Sequence, residues 1–321
     1  MLGRLYLCIM DDYKALRIVF MGTPEFAVAS LQKLVGEGCN IVAVITSPDK
    51  PAGRGLKLQE SAVKQFAVDN NIKVLQPTNL KNEEFLNELS SLKADLQIVV
   101  AFRMLPVLVW DIPKMGTINV HGSLLPQYRG AAPINWAIIN GENETGVTTF
   151  KLKHEIDTGN ILMQEKIAIL NDETAGSLHD KMKEVGASIL FKTIQQVANN
   201  SIQEVEQDLT SNKTDLKSAP KLFTDNCKIN LNNSVDEVYN LVRGLSPYPT
   251  AFTEINGKKL KIFSCEKELQ ELNAAHSEYL TDNKTYLKFA CKNGFISVKE
   301  LQLEGKKKML IEDFLRGNKL D

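Results

Sequence analysis

Apolar segments alternate with amphipathic segments through residues 17–199, and this alternation restricts the fold more than any other feature of the sequence. The run at 96–101 is apolar in nearly every position, which is typical of a strand covered on both faces. Strands are predicted at 17–21, 41–46, 72–75, 96–101, 117–121, 147–152 and 161–169, and helices at 25–35, 61–69, 82–91 and 174–199. The pattern predicts an α/β fold with a doubly wound, Rossmann-like, mostly parallel sheet. Ligands of such sheets bind beyond the carboxyl ends of the strands.

The pattern changes near residue 203. A polar stretch rich in Ser, Thr, Asn, Asp and Lys is typical of a linker. Short strands follow, separated by hairpin signals at Asn256-Gly257 and Asn293-Gly294. They predict a smaller C-terminal β-barrel of the OB type. The predicted organisation is an N-terminal extension (1–16), an α/β domain (17–202), a linker (203–221) and a C-terminal β-barrel (222–321).

Composition narrows the class of protein. The 321 residues, 43% hydrophobic and 24% charged, are typical of a soluble protein with two domains. The net charge of −1 does not indicate a nucleic-acid partner, although a local basic patch remains compatible with it. No apolar run is long enough to span a membrane, and the five cysteines show no paired spacing. We therefore expect a cytoplasmic protein without membrane or metal, and Met10 as the natural start of the chain.

Three side chains form a candidate catalytic site. Asn119 and His121 are two positions apart on a predicted strand. Their side chains therefore lie on the same face, at the carboxyl end of the strand. A second loop supplies Asp157. An amide donor, a titratable imidazole and a carboxylate suit chemistry at a carbonyl carbon. A single histidine at a strand end is more often structural, but the neighbouring amide favours the catalytic interpretation.

Other motifs are less specific. The loop at 47–60 contains Lys50, Arg54 and Lys57, which are suited to gripping phosphates, although a solvated surface loop is the default interpretation. His154 lies near Asp157 but lacks a partner at metal-ligand spacing, so we interpret it as a solvent-exposed side chain. The chain has no serine nucleophile elbow and no plausible catalytic cysteine, which favours direct group transfer over a covalent intermediate.

The candidate catalytic residues belong to longer motifs, which are Asn119-x-His121, Ser123-Leu124-Leu125-Pro126, Arg129-Gly130 and Asp157-Thr158-Gly159. Further motifs elsewhere in the chain are Gly22-Thr23-Pro24-Glu25, Pro51-Ala52-Gly53-Arg54-Gly55 and Arg243-Gly244-Leu245-Ser246-Pro247. Taken together, these motifs resemble the 10-formyltetrahydrofolate-dependent formyltransferases. The resemblance extends over nearly the whole chain, and the basic loop with the C-terminal domain points to the members that act on methionyl-tRNA.

The resemblance implies transfer of the formyl group of 10-formyltetrahydrofolate to the α-amino group of methionyl initiator tRNA, through a tetrahedral oxyanion. It implies that Asn119 and His121 hold the formyl oxygen. Asp157 would keep His121 in the right protonation state and help to remove the proton of the amine. The folate would contact Ser123, Leu124, Leu125 and Pro126, and the tRNA would contact Lys50, Arg54, Lys57 and the C-terminal domain. No metal is required, and we expect a monomer.

Two stretches depart from the common pattern of these enzymes. Residues 100–106 contain Arg103 and Met104 in a run that is one residue longer, on the folate side, and residues 153–156 are more polar. Alternative functions are formyl transfer to an amino-sugar nucleotide or glycinamide ribonucleotide, and hydrolysis of formyltetrahydrofolate. An RNA-binding protein with a decayed catalytic domain is a further alternative, which intact Asn119, His121 and Asp157 argue against.

Overall fold

The computed structural model describes residues 12–52, 57–207, 216–270 and 279–320, without the side chains of residues 52 and 57. The chain forms two compact units. The first contains Met1–Arg129, Gly146–Ile167 and Asp180–Lys217, and the second contains Gly130–Thr145, Ala168–His179 and Ser218–Asp321. The domain boundaries expected from the sequence stay a prediction, and the expected start at Met10 lies outside the described residues.

The helices and strands follow one another as the alternation predicts. Up to the candidate site they are α1 (Asp12–Ala15), β1 (Arg17–Gly22), α2 (Glu25–Gly36), β2 (Asn40–Ile45), β3 (Lys50–Ala52), β4 (Lys57–Gln59), α3 (Ala62–Asp69), β5 (Val74–Leu75), α4 (Glu83–Ser91), β6 (Leu96–Val100), α5 (Val107–Trp110) and β7 (Thr117–His121). Then come β8 (Arg129–Gly130), α6 (Pro133–Ile139), β9 (Glu144–Lys151), β10 (Ile161–Ala168), α7 (Ala175–Ala198) and β11 (Ser218–Ala219). The last part contains a 3₁₀ turn (Thr224–Cys227), α8 (Val235–Gly244), β12 (Ala251–Ile255), β13 (Lys258–Leu269), β14 (Tyr279–Thr281), β15 (Leu287–Cys291), β16 (Gly294–Leu303), β17 (Met309–Leu310) and α9 (Ile311–Gly317).

Seven strands form the sheet of the first unit, in the order β10-β9-β7-β6-β1-β2-β5. Five of these strands run parallel to one another, namely β5, β2, β1, β6 and β7. Strand β9 is antiparallel to β7. The predicted α/β class and mostly parallel sheet are therefore confirmed. The chain leaves β1 toward β2 and β5, then returns to the other side of β1 at β6. This reversal is the topological switch point beside which ligands bind in such sheets.

Local sequence explains why the helices of this unit begin where they do. The hydroxyl of Ser61 accepts a hydrogen bond from Lys64 N at 3.0 Å, and the Asn82 side chain accepts one from Phe85 N at 3.1 Å. Both are N-caps, which satisfy backbone donors that lack a partner within the helix. On one face of the sheet, a core cluster of apolar side chains from β1, β2 and β6 packs with Phe85 and Leu89 of α4.

The second unit contains a curled antiparallel sheet of the kind expected from the hairpin signals. Strands β12, β13, β16, β15 and β14 are neighbours in that order, and β17 pairs with β16. The register of β13 on β16 shifts around Ser264, where such irregularities bend a strand. Helix α8 begins at a capping box of Ser234 and Glu237, and its Val238 and Val242 join the core of the sheet. Of the described helices and strands, nine mostly short ones were not predicted from the sequence: α1, β3, β4, α5, β8, α6, β11, β14 and α9.

Two findings concern the chain as a whole. Among the described helices, none combines the length and the apolar character that crossing a membrane requires. The four cysteines in the described ranges, at 39, 227, 265 and 291, are all free and buried. Burial raises the pKa of the Cys39 thiol to about 11 and that of Cys265 to about 12. These thiols are therefore protonated at neutral pH, which leaves them poor nucleophiles.

Candidate active site

His121 is the last residue of β7, next to the switch point, and its side chain is buried. Its Nε2 lies 2.9 Å from the carbonyl oxygen of Tyr128. A carbonyl oxygen only accepts hydrogen bonds, so Nε2 carries the proton and donates. In the neutral ring the lone pair is then on Nδ1. The ring of Phe150 stands edge-on to the imidazole, with centroids 6.4 Å apart, and helps to fix its plane.

Asp157 faces the other nitrogen of this ring. Its Oδ2 lies 3.9 Å from His121 Nδ1, and only 13% of its side chain is exposed. This distance is too long for a direct hydrogen bond, so the two groups bracket a small gap. Asp157 has φ = 54°, in the left-handed region, which aspartate tolerates better than most residues. The two titratable groups that the sequence singled out are thus brought together.

Asn119 precedes His121 by two residues on β7 and shares its face of the sheet. Its side chain is half-buried, and no hydrogen bond links its amide to any other residue within the described ranges. The amide N–H groups are therefore available as donors to a bound molecule. The structure places Asn119, His121 and Asp157 at the carboxyl end of β7 and in the loop between β9 and β10.

The four residues predicted to contact folate form the turn after β7. Ser123 and Leu125 are buried, whereas Leu124 and Pro126 are half-buried. The Ser123 hydroxyl donates to the carbonyl oxygen of Gln127 at 2.6 Å, and the Leu125-Pro126 peptide bond is cis. The side chains of Leu124 and Pro126 are therefore the more accessible pair, and contact of this turn with folate stays a prediction.

The turn is held by two polar side chains that sequence reasoning missed. Thr148 Oγ1 donates to the Ser123 carbonyl oxygen at 2.6 Å and accepts from Leu125 N at 3.2 Å. Gln164 Nε2 donates to the Leu125 carbonyl oxygen at 2.8 Å. Thr148 lies on β9, which is the neighbour of β7 in the sheet, and Gln164 lies on β10, the next strand. Thr148 belongs to the segment Glu144-Thr145-Gly146-Val147-Thr148, which is part of the family resemblance but received no role from it, and Gln164 belongs to no motif.

Sequence reasoning also missed Gln207, which it assigned to a linker. Its Nε2 donates to the carbonyl oxygens of Asp157 and Gly159, each at 2.8 Å. Its Oε1 accepts from both Nε and Nη2 of Arg129. Burial lowers the pKa of Arg129, while the carboxylates of Asp157 and Glu155 act in the opposite direction. A side chain distant in sequence thus joins the loop of Asp157 to the segment after His121.

The predicted tRNA-contacting residues lie in and around the β3–β4 hairpin, within a stretch that the sequence predicted as a loop. Lys50 is exposed, Arg54 lies outside the described residues, and nothing is described of the Lys57 side chain. Next to the hairpin, Lys64 forms ion pairs with Asp49 at 2.5 Å and Glu60 at 2.8 Å. Lys64 therefore supports the base of the loop, whereas Lys50 presents its charge to solvent.

Arg103 holds the unusual run at 100–106 in place by hydrogen bonds to another loop. The Arg103 guanidinium donates to the carbonyl oxygen of Thr78 at 3.1 Å and to that of Pro77. It thereby ties the loop after β6 to the loop after β5, next to the switch point. Two described histidines, His154 and His179, lie outside the site. Across the described ranges, no group of three or more His, Cys, Asp or Glu side chains is placed to hold a metal ion.

Comparisons with known proteins identify the family. Residues 16–194 match the family model described as formyl transferase, and residues 221–319 match that of the formyl transferase C-terminal domain. A methionyl-tRNA formyltransferase from Parabacteroides distasonis is 52% identical over 311 residues, which are 95% of this chain and 96% of that protein. One from Bacteroides thetaiotaomicron is 48% identical over 310 residues, again 95% of this chain and 96% of that protein.

Solved structures share the architecture. A sugar 3N-formyl transferase crystallised in the presence of dTDP and 5-N-formyl-THF superposes with a TM-score of 0.65 at 25% identity, over 91% of this chain and 99% of that one. HypX from Aquifex aeolicus shares the fold at 18% identity, with a TM-score of 0.64, over 95% of this chain and 49% of that one. Because both family models match and the two relatives are 48% and 52% identical, the chain belongs to the formyl transferase family, in the group of the methionyl-tRNA formyltransferases.

Proposed function

We propose that this chain transfers the formyl group of 10-formyltetrahydrofolate to the α-amino group of methionyl initiator tRNA. One observation carries the proposal: Nδ1 of His121 and the carboxylate of Asp157 face each other across 3.9 Å, and Asn119 on the same strand as His121 has an amide without a hydrogen-bond partner among the described residues. A formyl carbon under attack needs donors for its oxygen and an acceptor for a proton, and this trio supplies both.

In the proposed reaction, the lone pair of the methionyl nitrogen attacks the formyl carbon. The π electrons of the carbonyl move onto its oxygen, which gives a tetrahedral oxyanion. When the carbonyl re-forms, the bond to N10 of the folate breaks and N10 keeps its electron pair. One proton leaves the attacking nitrogen and one proton joins N10, so the products are formylated methionyl-tRNA and tetrahydrofolate.

The oxyanion would be held by two donors. Asn119 supplies an amide N–H, and His121 supplies Nδ1–H when the ring is protonated, since its Nε2 is already engaged with Tyr128. One well-placed donor of this kind is worth about 3 kcal/mol of barrier. The hydrogen bond that Nε2 donates to the Tyr128 carbonyl oxygen holds the ring in one orientation throughout. In many other sites with a catalytic histidine, an aspartate orients the imidazole; here the backbone carbonyl of Tyr128 would do so.

Asp157 would receive the proton of the attacking amine, directly or through a water molecule bound to its carboxylate. The side chain is mostly buried, with 13% of it exposed. A direct transfer mechanism is further supported by the cysteines of the described ranges, all of which are buried. None of them is placed to accept the formyl group as a covalent intermediate.

For the two substrates, we propose separate surfaces of contact. The pterin or formyl region of the folate would lie against Leu124 and Pro126 and the backbone of the turn that Thr148 and Gln164 hold. The acceptor end of the tRNA would lie against the β3–β4 hairpin, where Lys50 is exposed. The proposed folate co-substrate is consistent with the 5-N-formyl-THF named for the sugar formyl transferase structure.

The proposal is tested by an assay of formyl transfer with 10-formyltetrahydrofolate and purified protein. The expected acceptor is methionyl initiator tRNA, with methionyl elongator tRNA and free methionine as poor acceptors. A dTDP-linked amino sugar and glycinamide ribonucleotide are tested in parallel, because the fold is shared with a sugar formyl transferase. Release of formate without an acceptor, or preferred formylation of either small amine, would contradict the proposed substrate.

A further inference from the structure

We infer that Gln207 is a positioning residue for formyl transfer, which it supports by holding the loop of Asp157. The inference rests on the proposed function, because it assigns Gln207 a task in that reaction. Gln207 lies in a stretch with the composition of a linker, and nothing in its sequence context marks it as functional. Its role follows from its four hydrogen bonds.

The side-chain amide of Gln207 uses its full hydrogen-bonding capacity. A primary amide has two N–H donors and two acceptor lone pairs. Both donors go to the loop between β9 and β10, to the carbonyl oxygens of Asp157 and Gly159 at 2.8 Å. Both lone pairs are used by Arg129. A solvated linker side chain would not be so completely satisfied.

The orientation of this amide is unambiguous. If the oxygen and nitrogen were exchanged, the NH₂ group would face the guanidinium of Arg129, which only donates. The oxygen would face the carbonyl oxygens of Asp157 and Gly159, which only accept. All four contacts would then be repulsive. The chemistry of the neighbours therefore fixes glutamine in one orientation, and no charged residue of similar shape satisfies both sides.

The bonds of Gln207 join the two parts of the active site. On one side they hold the backbone of Asp157 at its left-handed φ of 54°, a conformation that needs support from its surroundings. On the other side they hold Arg129, directly after Tyr128, whose carbonyl orients His121. Gln207 thus bridges the loop of the carboxylate and the segment that fixes the imidazole.

Neighbouring residues extend this anchorage, so that 204–207 forms a short strap, as we call it below. Val205 exchanges two backbone hydrogen bonds with Ile161, at 2.7 and 2.9 Å. Glu204 accepts from Lys151 Nζ and from Asn160 Nδ2, each at 3.0 Å. The strap therefore reaches the Asp157 loop from a rigid base, and Gln207 is its contact closest to the catalytic carboxylate.

A displaced carboxylate slows the chemical step more than it weakens substrate binding. A misplacement of about 1 Å can cost about 100-fold in rate. For Gln207→Ala we therefore expect kcat to fall by about 10- to 100-fold, while KM for each substrate changes less than about threefold. Gln203→Ala is the matched control, since Gln203 lies in the same segment, is exposed, and makes no hydrogen bond within the described ranges. It should retain wild-type kcat.

Gln207→Glu separates the two sides of the bridge. The carboxylate keeps both acceptor contacts with Arg129 but places an oxygen against the carbonyl oxygens of Asp157 and Gly159. If the loop contacts matter, this variant loses at least as much kcat as Gln207→Ala. A Gln207→Glu enzyme with wild-type kcat would overturn the inference, because anchoring of Arg129 alone would then suffice.

A double-mutant cycle distinguishes positioning from general stability. In an Asp157→Asn background, measured by single-turnover formylation with enzyme in excess, Gln207→Ala should change the rate less than about twofold, because the group it positions is gone. The same 10- to 100-fold loss in both backgrounds, or wild-type kcat for Gln207→Ala alone, would overturn the inference. A wild-type enzyme that formylates no methionyl-tRNA would instead overturn the proposed function.

Discussion

Two polar residues of strand β7 have different environments. Thr117 and Asn119 are two positions apart, so their side chains lie on the same face of the strand. Thr117 is fully buried, and its hydroxyl donates to Gln97 Oε1 at 3.1 Å and to the Trp110 carbonyl oxygen at 2.6 Å. Asn119 is half-buried, with no such partner among the described residues. One side chain therefore supports the fold, and the other is free to serve a ligand.

This difference predicts the outcome of two substitutions on one strand. Asn119→Asp keeps the shape but replaces the donor by an acceptor, so kcat should fall by about 100- to 1,000-fold. The free energy of unfolding should change by less than about 0.5 kcal/mol, since no internal hydrogen bond is lost. Thr117→Val is the control, with a loss of about 1 kcal/mol of stability and little change in kcat. Formylation kinetics and urea unfolding measure both; a large stability loss for Asn119→Asp would contradict the assignment.

At the scale of elements, the loop between β9 and β10 is held at several points outside its own sequence. The strap of residues 204–207 supplies most of them. In addition, Gly159 lies so close to the backbone of Lys151 that a Cβ atom there would overlap its carbonyl oxygen. In the Asp157-Thr158-Gly159 motif, close packing therefore accounts for the glycine, and the proposed chemistry accounts for the aspartate.

Glu204 makes this anchorage depend on pH. The hydrogen bond from Lys151 is the largest cause that lowers the pKa of the Glu204 carboxyl, with Asn160 adding to it. A carboxyl whose pKa is lower in the folded state stabilises the fold above its unfolded pKa of about 4.3, and this stabilisation is lost as the pH falls through the folded pKa.

We therefore expect Glu204→Gln to be less stable than the wild type at pH 7, by no more than about 1 kcal/mol because 35% of the side chain is exposed. The difference should shrink as the pH falls below about 4. Urea unfolding across this range measures it, with Glu206→Gln as control, since Glu206 is an exposed neighbour. A difference that stays constant with pH would show that the charge of Glu204 is irrelevant.

For the whole molecule, charge limits how a tRNA can be bound. The chain has 38 basic and 39 acidic residues, so its overall charge does not attract a polyanion. Under the proposed function, attraction would come from local groups such as Lys50, whose charge is not cancelled by an ion pair within the described residues. Each phosphate contact releases counterions, which makes its contribution depend on salt.

Lys50→Ala should therefore raise KM for methionyl-tRNA without changing KM for the folate. The slope of log KM against log salt should fall by up to about 1, as for the loss of one phosphate contact. Lys114→Ala is the control, because Lys114 is exposed but lies before β7, at the opposite end of the strand from His121. Steady-state formylation from low to moderate salt measures both; equal slopes for wild type and Lys50→Ala would remove this lysine from the tRNA surface.

Much of this architecture could be predicted because it is written in local patterns. The apolar run of β6 and the capping residues Ser61 and Asn82 define elements within a few residues of where they occur. Asn119, His121 and Asp157 could be proposed as a site because their chemistry is unusual at a strand end and in a nearby loop, and their roles stay a prediction. Helix α6 was missed because it is short and begins at the proline of a Gly-Ala-Ala-Pro run that is typical of a turn.

What could not be predicted depends on residues far apart in sequence. Gln207 lies 50 positions after Asp157 in the sequence, and neither residue type nor spacing indicates the pairing. The carbonyl of Tyr128 has no sequence signature at all, because every residue has one. Such contacts follow from the tertiary arrangement, and composition assigned the strap to a linker for the same reason.

The amide of Gln207 has a consequence for how the enzyme responds to acidity. Neither a primary amide nor a guanidinium changes its charge across the range in which imidazole and carboxyl groups titrate. The bridge between the Asp157 loop and Arg129 is therefore equally strong in mild acid and in mild base. An aspartate or histidine at this position would have loosened the frame as the reacting groups changed their charge. With glutamine, the frame stays constant while only the reacting groups gain and lose protons.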